Sequence, residues 1–65
     1  MRITLNDEPR EVAAATLAQA LDELGFGGAR VATAVNGSFV PAPARAGHPL
    51  AEGDRLEVLA PMQGG

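Results

Sequence analysis

The carboxyl end of the chain carries the group best suited to chemistry. The sequence closes with "APMQGG", residues 60 to 65, so its last residues are Gly64 and Gly65. A terminal carboxylate can attack the α-phosphate of ATP and become an acyl-adenylate, which a sulfur or nitrogen nucleophile then opens. Glycines suit a segment that threads a narrow channel in another protein, because they are slim and adopt φ values closed to other residues. A frayed end would explain the same dipeptide, so the interpretation depends on the rest of the chain.

Side-chain catalysis finds little support in the sequence. His48 is the only histidine and lies in a loop rich in Pro and Gly, there is no cysteine, and Ser38 has no base near it in sequence. A catalytic triad needs three groups held rigidly by a scaffold, and a structural zinc site needs four N or S ligands. We therefore expect an exposed loop histidine, no metal site and no enzymatic activity.

The remaining candidates for chemistry have ordinary explanations. Glu52, Asp54 and Glu57 fall at a turn and on the outer face of a strand, which favours a solvated edge over an acid/base pair. The glycines of "GFGG" (25 to 28) follow a predicted helix, whereas a phosphate-binding nest precedes one. The terminal carboxylate of Gly65 is thus the leading candidate for a reactive group.

Composition limits the class of protein. The chain has 65 residues, enough for one domain, and carries eight acidic residues and five arginines for a net charge of -3. An acidic domain without a basic stripe is a poor nucleic-acid or anionic-membrane binder, and a basic groove on a partner protein would suit it. No apolar stretch is long enough to cross a bilayer and no leader precedes the first strand, so we expect a soluble cytoplasmic protein.

Alternating residues predict two strands at the start of the chain. In "MRITLN" the apolar residues Met1, Ile3 and Leu5 share one face. "NDEP" follows with turn chemistry, in which Pro9 fixes φ. "REVA" then predicts a short antiparallel return strand with Val12 directed inward.

A helix follows the predicted hairpin. Thr16 and Gln19 match the capping-box spacing, in which two backbone donors are satisfied reciprocally. The leucines that share one helical stripe are Leu17, Leu21 and Leu24. Gly25 is placed to end the helix in a left-handed conformation, and we expect Phe26 to pack against that end.

The second half of the chain predicts three more strands. "VATAVNGSFVP" contains two that meet at Asn36-Gly37, the strongest short hairpin signal. The Pro-, Ala- and Gly-rich segment 42–54 predicts a surface loop with one turn of helix, fixed to the core by Leu50. "RLEVLAP" predicts a last strand with Leu56, Val58 and Ala60 on one face, closed by Pro61.

This order of elements predicts a two-layer α+β domain. Its most economical arrangement is the ubiquitin-like β-grasp, a small mixed sheet with one helix packed on one face and a flexible C-terminal tail. We expect the first strand to lie centrally and parallel to the last. Residues 1–61 would form the domain and 62–65 the flexible reactive tail.

The chain resembles the bacterial sulfur carriers, closest to the ThiS family of thiamin biosynthesis. The matching segments are "AVNGSFVP" (34 to 41), "LAEGDRLEVLAP" (50 to 61) and the terminal "QGG" (63 to 65). Members of that family often have Arg after "VP" and an aromatic residue, commonly Trp, a few residues later. Ala42 and Arg45 occupy those stretches here, so the loop is less apolar.

The resemblance implies a protein co-substrate rather than an enzyme. Gly65 would carry the carboxylate that an E1-like adenylyltransferase of the ThiF type activates with ATP, and a sulfur donor protein would supply the sulfur of the resulting thiocarboxylate. A thiazole synthase of the ThiG type would receive that sulfur. The resemblance implies no cofactor bound by the chain itself, because ATP is used by the activating enzyme.

Two further expectations concern partner binding. Gly64 and Gln63 would give the tail access to a partner's channel, and Phe39, Leu59 and Met62 would form an exposed apolar patch of the kind that marks interfaces. The alternative is that Phe39 and Leu59 belong to the core. The function also has alternatives: a sulfur carrier of another pathway, such as the molybdopterin-synthase small subunit or a cysteine-type carrier, or a ubiquitin-like interaction module that never reacts at its tail.

Overall fold

The computed structural model describes residues 1–60 and shows the predicted β-grasp, a five-stranded mixed sheet with one α-helix on one face. Pro61, predicted to close the domain, and the predicted tail 62–65 lie outside the described residues. The strands are β1 (Arg2–Leu5), β2 (Glu8–Glu11), β3 (Ala32–Val35), β4 (Ser38–Val40) and β5 (Arg55–Leu59), the α-helix is α1 (Leu17–Glu23), and a 3-10 helix covers Ala42–Gly47.

The strand order across the sheet is β2-β1-β5-β3-β4. β1 runs parallel to β5, as predicted, and every other neighbouring pair is antiparallel. The first strand, expected to lie centrally, is interior but not in the middle of the sheet, because β5 occupies that position. The strand that leads into the tail therefore has a neighbour on each side.

The first hairpin turns tightly at Asn6 and Asp7. Both residues have positive φ, 48° and 72°, which is the signature of the type I′ turn that matches strand twist. The prediction of a longer turn that includes Pro9, with a return strand over "REVA", was wrong. Pro9 lies inside β2 opposite Thr4, because a proline without an N–H is tolerated on an edge strand. Val12 is buried as expected, just beyond the end of β2.

The second hairpin confirms the Asn-Gly prediction. Asn36 and Gly37 have φ of 52° and 85° and form the two-residue turn between β3 and β4. Val35 pairs with Ser38 directly across this turn. The two hairpins of the sheet thus use the same turn chemistry.

Helix α1 has well-formed ends. Thr16 is the N-cap, and its hydroxyl accepts a hydrogen bond from the backbone N–H of Gln19 at 3.3 Å. The predicted capping box is only half right, because the Gln19 side chain accepts from the N–H of Ala15 rather than of Thr16. At the other end Gly25 has φ of 95°, and Phe26 donates to the carbonyl of Leu21 at 2.8 Å, as in a Schellman motif.

The core lies between α1 and the inner face of the sheet. Leu17, Ala20 and Leu21 of the helix are buried there. The remaining buried apolar residues are Ile3, Leu5, Val12, Ala14, Val35, Val40, Leu50, Leu56 and Val58. Met1, Leu24, Phe26 and Val31 are partly buried against this cluster, so the predicted packing of Phe26 at the helix end is confirmed.

The connection between β4 and β5 is more regular than predicted. It begins with the 3-10 helix, then crosses the start of α1 as an extended bridge between Thr16 and Pro49. Leu50 is buried as expected, and its N–H donates to the carbonyl of Ala15 at 3.0 Å. Within residues 1–60, no helix has the length and apolar character needed to span a membrane.

Candidate functional site

The candidate site is the end of β5, from which the chain continues into the predicted reactive tail. Alternate residues of β5 are buried, with Leu56 and Val58 facing the core and Leu59 facing outward. Ala60 was expected on the buried face but is exposed. The reason is that β5 ends at Leu59, so Ala60 lies beyond the strand. The geometry of the site therefore depends on what holds β5 in place.

Two asparagines from the hairpin turns hold β5 from opposite sides. The Asn6 side chain accepts from the N–H of Val58 at 2.9 Å and donates to its carbonyl at 3.1 Å. The Asn36 side chain accepts from the N–H of Arg55 at 2.9 Å and donates to a carboxylate oxygen of Asp54 at 3.0 Å. Each turn thus adds side-chain hydrogen bonds to the strand ladder where backbone pairing ends.

The "EGD" segment fixes the beginning of β5. A carboxylate oxygen of Glu52 accepts from the N–H of Arg2 at 3.0 Å, and Gly53 donates to the Arg2 carbonyl at 2.8 Å. Asp54 accepts from the N–H of Ala51 at 2.8 Å through its carboxylate and from the N–H of Thr4 at 3.0 Å through its carbonyl. Glu52 and Asp54 thus support the backbone at the start of β5.

The outer face of the sheet carries an apolar patch beside the end of β5. Phe39 and Leu59 are each 68% exposed, so the alternative that they belong to the core is wrong. Strand pairing places Ala34 opposite Phe39 and Ala32 opposite Leu59. We call these four residues the outer apolar patch. Met62, the third residue predicted for the patch, lies outside the described part of the chain.

Two depressions flank Leu59. The Phe39 depression, of about 180 Å³, is lined by Ala32, Thr33, Ala34, Phe39, Glu57 and Leu59. The tail-root depression, of about 500 Å³, lies at the last described residue and is lined by Ala29, Arg30, Val31, Ala32, Ala42, Arg45, Leu59 and Ala60. Both are open to solvent and both are formed mainly by small or apolar side chains.

Arg45 anchors the 3-10 helix to β3. Its Nε donates to the hydroxyl of Thr33 at 3.0 Å, and its terminal guanidinium donates to the carbonyl of Val31. Thr33 is 1% exposed and itself donates to the carbonyl of Val40 at 2.7 Å. The position at which the sequence lacks an aromatic residue therefore carries a hydrogen-bonded arginine that forms one wall of the tail-root depression.

Other candidate groups do not assemble into a site. His48 is half-buried rather than exposed, and its carbonyl accepts from the N–H of Leu17 at 2.9 Å. Ser38 is exposed on β4. Across the part of the chain that the structure describes, no three His, Cys, Asp or Glu side chains come together as metal ligands.

The predicted site residues fall into two groups. The structure brings Phe39 and Leu59 to one exposed face, whereas Gln63, Gly64 and Gly65 lie beyond the described residues and remain predictions. Sequence analysis missed the side-chain contacts of Asn6 and Arg45. The Asn6 contact joins residues 52 positions apart, and no local pattern signals such a pairing.

Comparison with known proteins agrees with this fold. The model of the ThiS family matches residues 3–65. A crystal structure of the thiamine biosynthesis protein ThiS from Geobacter metallireducens is similar over 100% of both chains, with a TM-score of 0.84 and 29% sequence identity. No protein of curated function matches the sequence significantly.

Proposed function

The chain belongs to the ThiS family, and we propose from this that it is a sulfur carrier of thiamin biosynthesis. In this proposal the Gly65 carboxylate attacks the α-phosphate of ATP on an E1-like adenylyltransferase of the ThiF type, and pyrophosphate leaves. A sulfide equivalent from a sulfur donor protein then displaces AMP and leaves a thiocarboxylate. The thiocarboxylate supplies sulfur to a thiazole synthase of the ThiG type.

The observation that carries the proposal is the match of the family model through residue 65, which includes both terminal glycines. Gly65 supplies the reactive carboxylate. Gly64 and Gln63 precede it, and a glycine next to the reacting group lets the chain adopt backbone angles that a narrow channel imposes. In this role the protein is a co-substrate that binds no cofactor itself, and ATP binds to the activating enzyme.

The folded domain over residues 1–60 is suited to recognition by partner proteins. Its acidic turn residues are committed to backbone contacts, and its outer apolar patch lies beside the strand that leads to the tail. An exposed cluster of apolar side chains commonly marks a protein interface. We therefore assign partner docking to Phe39 and Leu59, with Met62 as the predicted extension toward the tail.

Mass spectrometry tests the proposal. The purified protein is incubated with ATP, a ThiF-type adenylyltransferase and a sulfur source, and its intact mass is recorded. We expect a mass gain equal to the replacement of one oxygen by one sulfur. Protein with an amidated Gly65 is the control and should show no gain, because an amide cannot be adenylated. An unchanged mass for the native chain under these conditions would contradict the proposal and favour an inert interaction module.

The pathway is tested separately by the acceptor. The thiocarboxylated protein is mixed with a ThiG-type thiazole synthase and its sulfur-accepting substrate and, in parallel, with a molybdopterin-synthase large subunit and its sulfur-accepting substrate. We expect sulfur to be lost only to the thiazole synthase. Loss to the molybdopterin enzyme alone would assign the carrier to the other pathway while leaving its chemistry intact.

A further inference from the structure

Leu59 lies between two depressions that differ in charge. The Phe39 depression contains one ionisable residue, Glu57, and the tail-root depression contains two arginines, Arg30 and Arg45. Leu59 lines both depressions and is 68% exposed. The surface near the tail therefore presents an acidic group, an apolar side chain and basic groups in that order.

The Glu57 carboxylate has no bonded partner among residues 1–60. Its side chain is exposed on the outer face of β5, opposite Ala34 and two residues after Arg55, and its carboxylate forms no ion pair or hydrogen bond within that range. Glu11 and Glu8, by contrast, are both paired with arginines. A charge beside an apolar surface and without an internal partner remains available to a partner protein.

The basic side of Leu59 contains one held arginine and one exposed arginine. Arg45 is fixed by its bonds to Thr33 and Val31, so its position is defined. Arg30 is exposed, and the described residues offer it no acidic partner. The arginines make this edge locally basic in a chain whose net charge is -3.

We propose that the adenylyltransferase recognises the carrier through this charge order, and this rests on the proposed function. The complementary surface is an apolar socket for Leu59, with a basic side chain opposite Glu57 and an acidic side chain opposite Arg30. Opposite charges on the two sides of one apolar contact fix the rotation of the docked domain. This rotation sets the direction in which the tail enters the enzyme.

The mixed signs of the surface indicate the class of partner. Nucleic acid and anionic membranes favour a surface of uniformly positive charge, which Glu57 interrupts. Complementary charge patterns across protein interfaces set register and exclude wrong partners, because juxtaposed like charges are costly. The surface therefore fits a folded protein of complementary pattern.

Charge reversal tests the proposal. We would measure the affinity for a purified ThiF-type adenylyltransferase by titration calorimetry for Glu57→Arg, Arg30→Glu and the double variant. Each single change should raise Kd by about tenfold or more, since it places like charges together. The double variant keeps the net charge at -3 but reverses the order of the charges. We therefore expect it to lose at least as much affinity as each single variant. Folding of each variant is checked by thermal melting.

Glu8→Arg and Arg10→Glu are the matched controls. These residues form one exposed ion pair on the edge strand β2, two strands away from β5, and the two variants carry the same changes in charge. Their Kd should stay within about twofold of the native value. Equal effects at both places, or native affinity in the double variant, would overturn the proposal, since net charge alone would then govern binding.

The two proposals fail in different ways. If the native protein is thiocarboxylated while Glu57→Arg and Arg30→Glu bind as tightly as it does, the charge order is wrong and the carrier function stands. If the native protein neither binds the enzyme nor gains sulfur, both proposals are wrong. Concentration-dependent self-association that is abolished by these reversals, without any change in enzyme affinity, would assign the surface to a second copy of the chain and would also overturn this inference.

Discussion

Asn6 contacts Val58 through both ends of its side-chain amide. Its oxygen accepts from the Val58 N–H at 2.9 Å, and its nitrogen donates to the Val58 carbonyl at 3.1 Å. Backbone pairing between β1 and β5 joins Thr4 with Arg55 and Leu5 with Leu56, and the Asn6 N–H donates to the Leu56 carbonyl at 2.9 Å. The side chain of Asn6 therefore continues the parallel ladder toward the end of β5.

Replacing Asn6 by glycine should destabilise the domain. Glycine tolerates the φ of 48° at this turn position, so the change removes the side-chain bonds without adding backbone strain. Two partly buried hydrogen bonds contribute about 1–3 kcal/mol together. We expect the free energy of unfolding, measured by chemical denaturation, to fall by that amount.

Asp7→Gly is the control for the Asn6 prediction. Asp7 is the other residue of the same turn, has φ of 72° and makes no side-chain hydrogen bond within residues 1–60. Its replacement should change the free energy of unfolding by no more than about 0.5 kcal/mol. Equal losses in the two variants would show that the turn conformation, and not the contact with Val58, accounts for the effect.

Leucine-to-alanine substitutions should separate the core from the outer apolar patch. Leu21 is 5% exposed, and Leu21→Ala should cost about 2–5 kcal/mol, a large part of the roughly 3–5 kcal/mol available to a domain of this size. Leu59 is 68% exposed, so Leu59→Ala should change stability by less than about 0.5 kcal/mol. Urea unfolding measures both. A near-neutral Leu21→Ala would contradict the placement of the helix against the sheet.

The same Leu59→Ala variant should lose partner affinity while remaining folded. Its side chain is the apolar centre of the proposed docking surface, and truncated interface anchors commonly cost about 1–2 kcal/mol or more of binding energy. Titration with the adenylyltransferase checks this expectation. Undiminished affinity would remove Leu59 from the interface.

Arg45→Ala should loosen the 3-10 helix. The change removes the bonds to Thr33 and Val31 and leaves their oxygens dependent on water, at a cost of about 1–3 kcal/mol. Arg45→Lys should recover little of the lost stability, because an ammonium cannot reproduce the planar, two-donor geometry of the guanidinium. Arg30→Ala is the control, and its thermal unfolding should match that of the native protein. A native melting temperature for Arg45→Ala would show that the anchor contributes nothing.

Deletion of Gly65 should separate function from stability. Terminal residues contribute little to packing, so we expect an unchanged melting temperature by calorimetry. Adenylation by the activating enzyme should be abolished, because the carboxylate would then sit one residue short. An extra glycine added after Gly65 tests the same requirement for length. A large fall in melting temperature on deletion would mean that the tail is structural.

The fold was predictable because local signals agreed with one another. Alternation in β1 and β5, the leucine stripe of α1 and the Asn36-Gly37 turn each specify an element, and their order leaves few topologies. The prediction for Pro9 was wrong because the turn contains only Asn6 and Asp7, so Pro9 falls within β2. As an edge strand, β2 tolerates a residue without an N–H.

The site was predictable only in part. The exposure of Leu59 follows from the alternation of side chains along β5, which places Leu59 on the outer face. The sequence of the shorter strand β4 left both faces open for Phe39. The roles of Arg45 and Asn6 depend on partners distant in sequence, brought close only by the completed sheet. Sequence patterns describe single elements, and such contacts arise between them.

The central position of β5 determines how the domain responds to a force applied at its C-terminal tail. Any pull that an enzyme applies to the tail is transmitted along β5, which is bonded to β1 on one side and to β3 on the other. Force along the strand loads these bonds together in shear, so they cannot open one at a time as they would on an edge strand. If a partner enzyme draws in the tail as proposed, the body is built to withstand that tension.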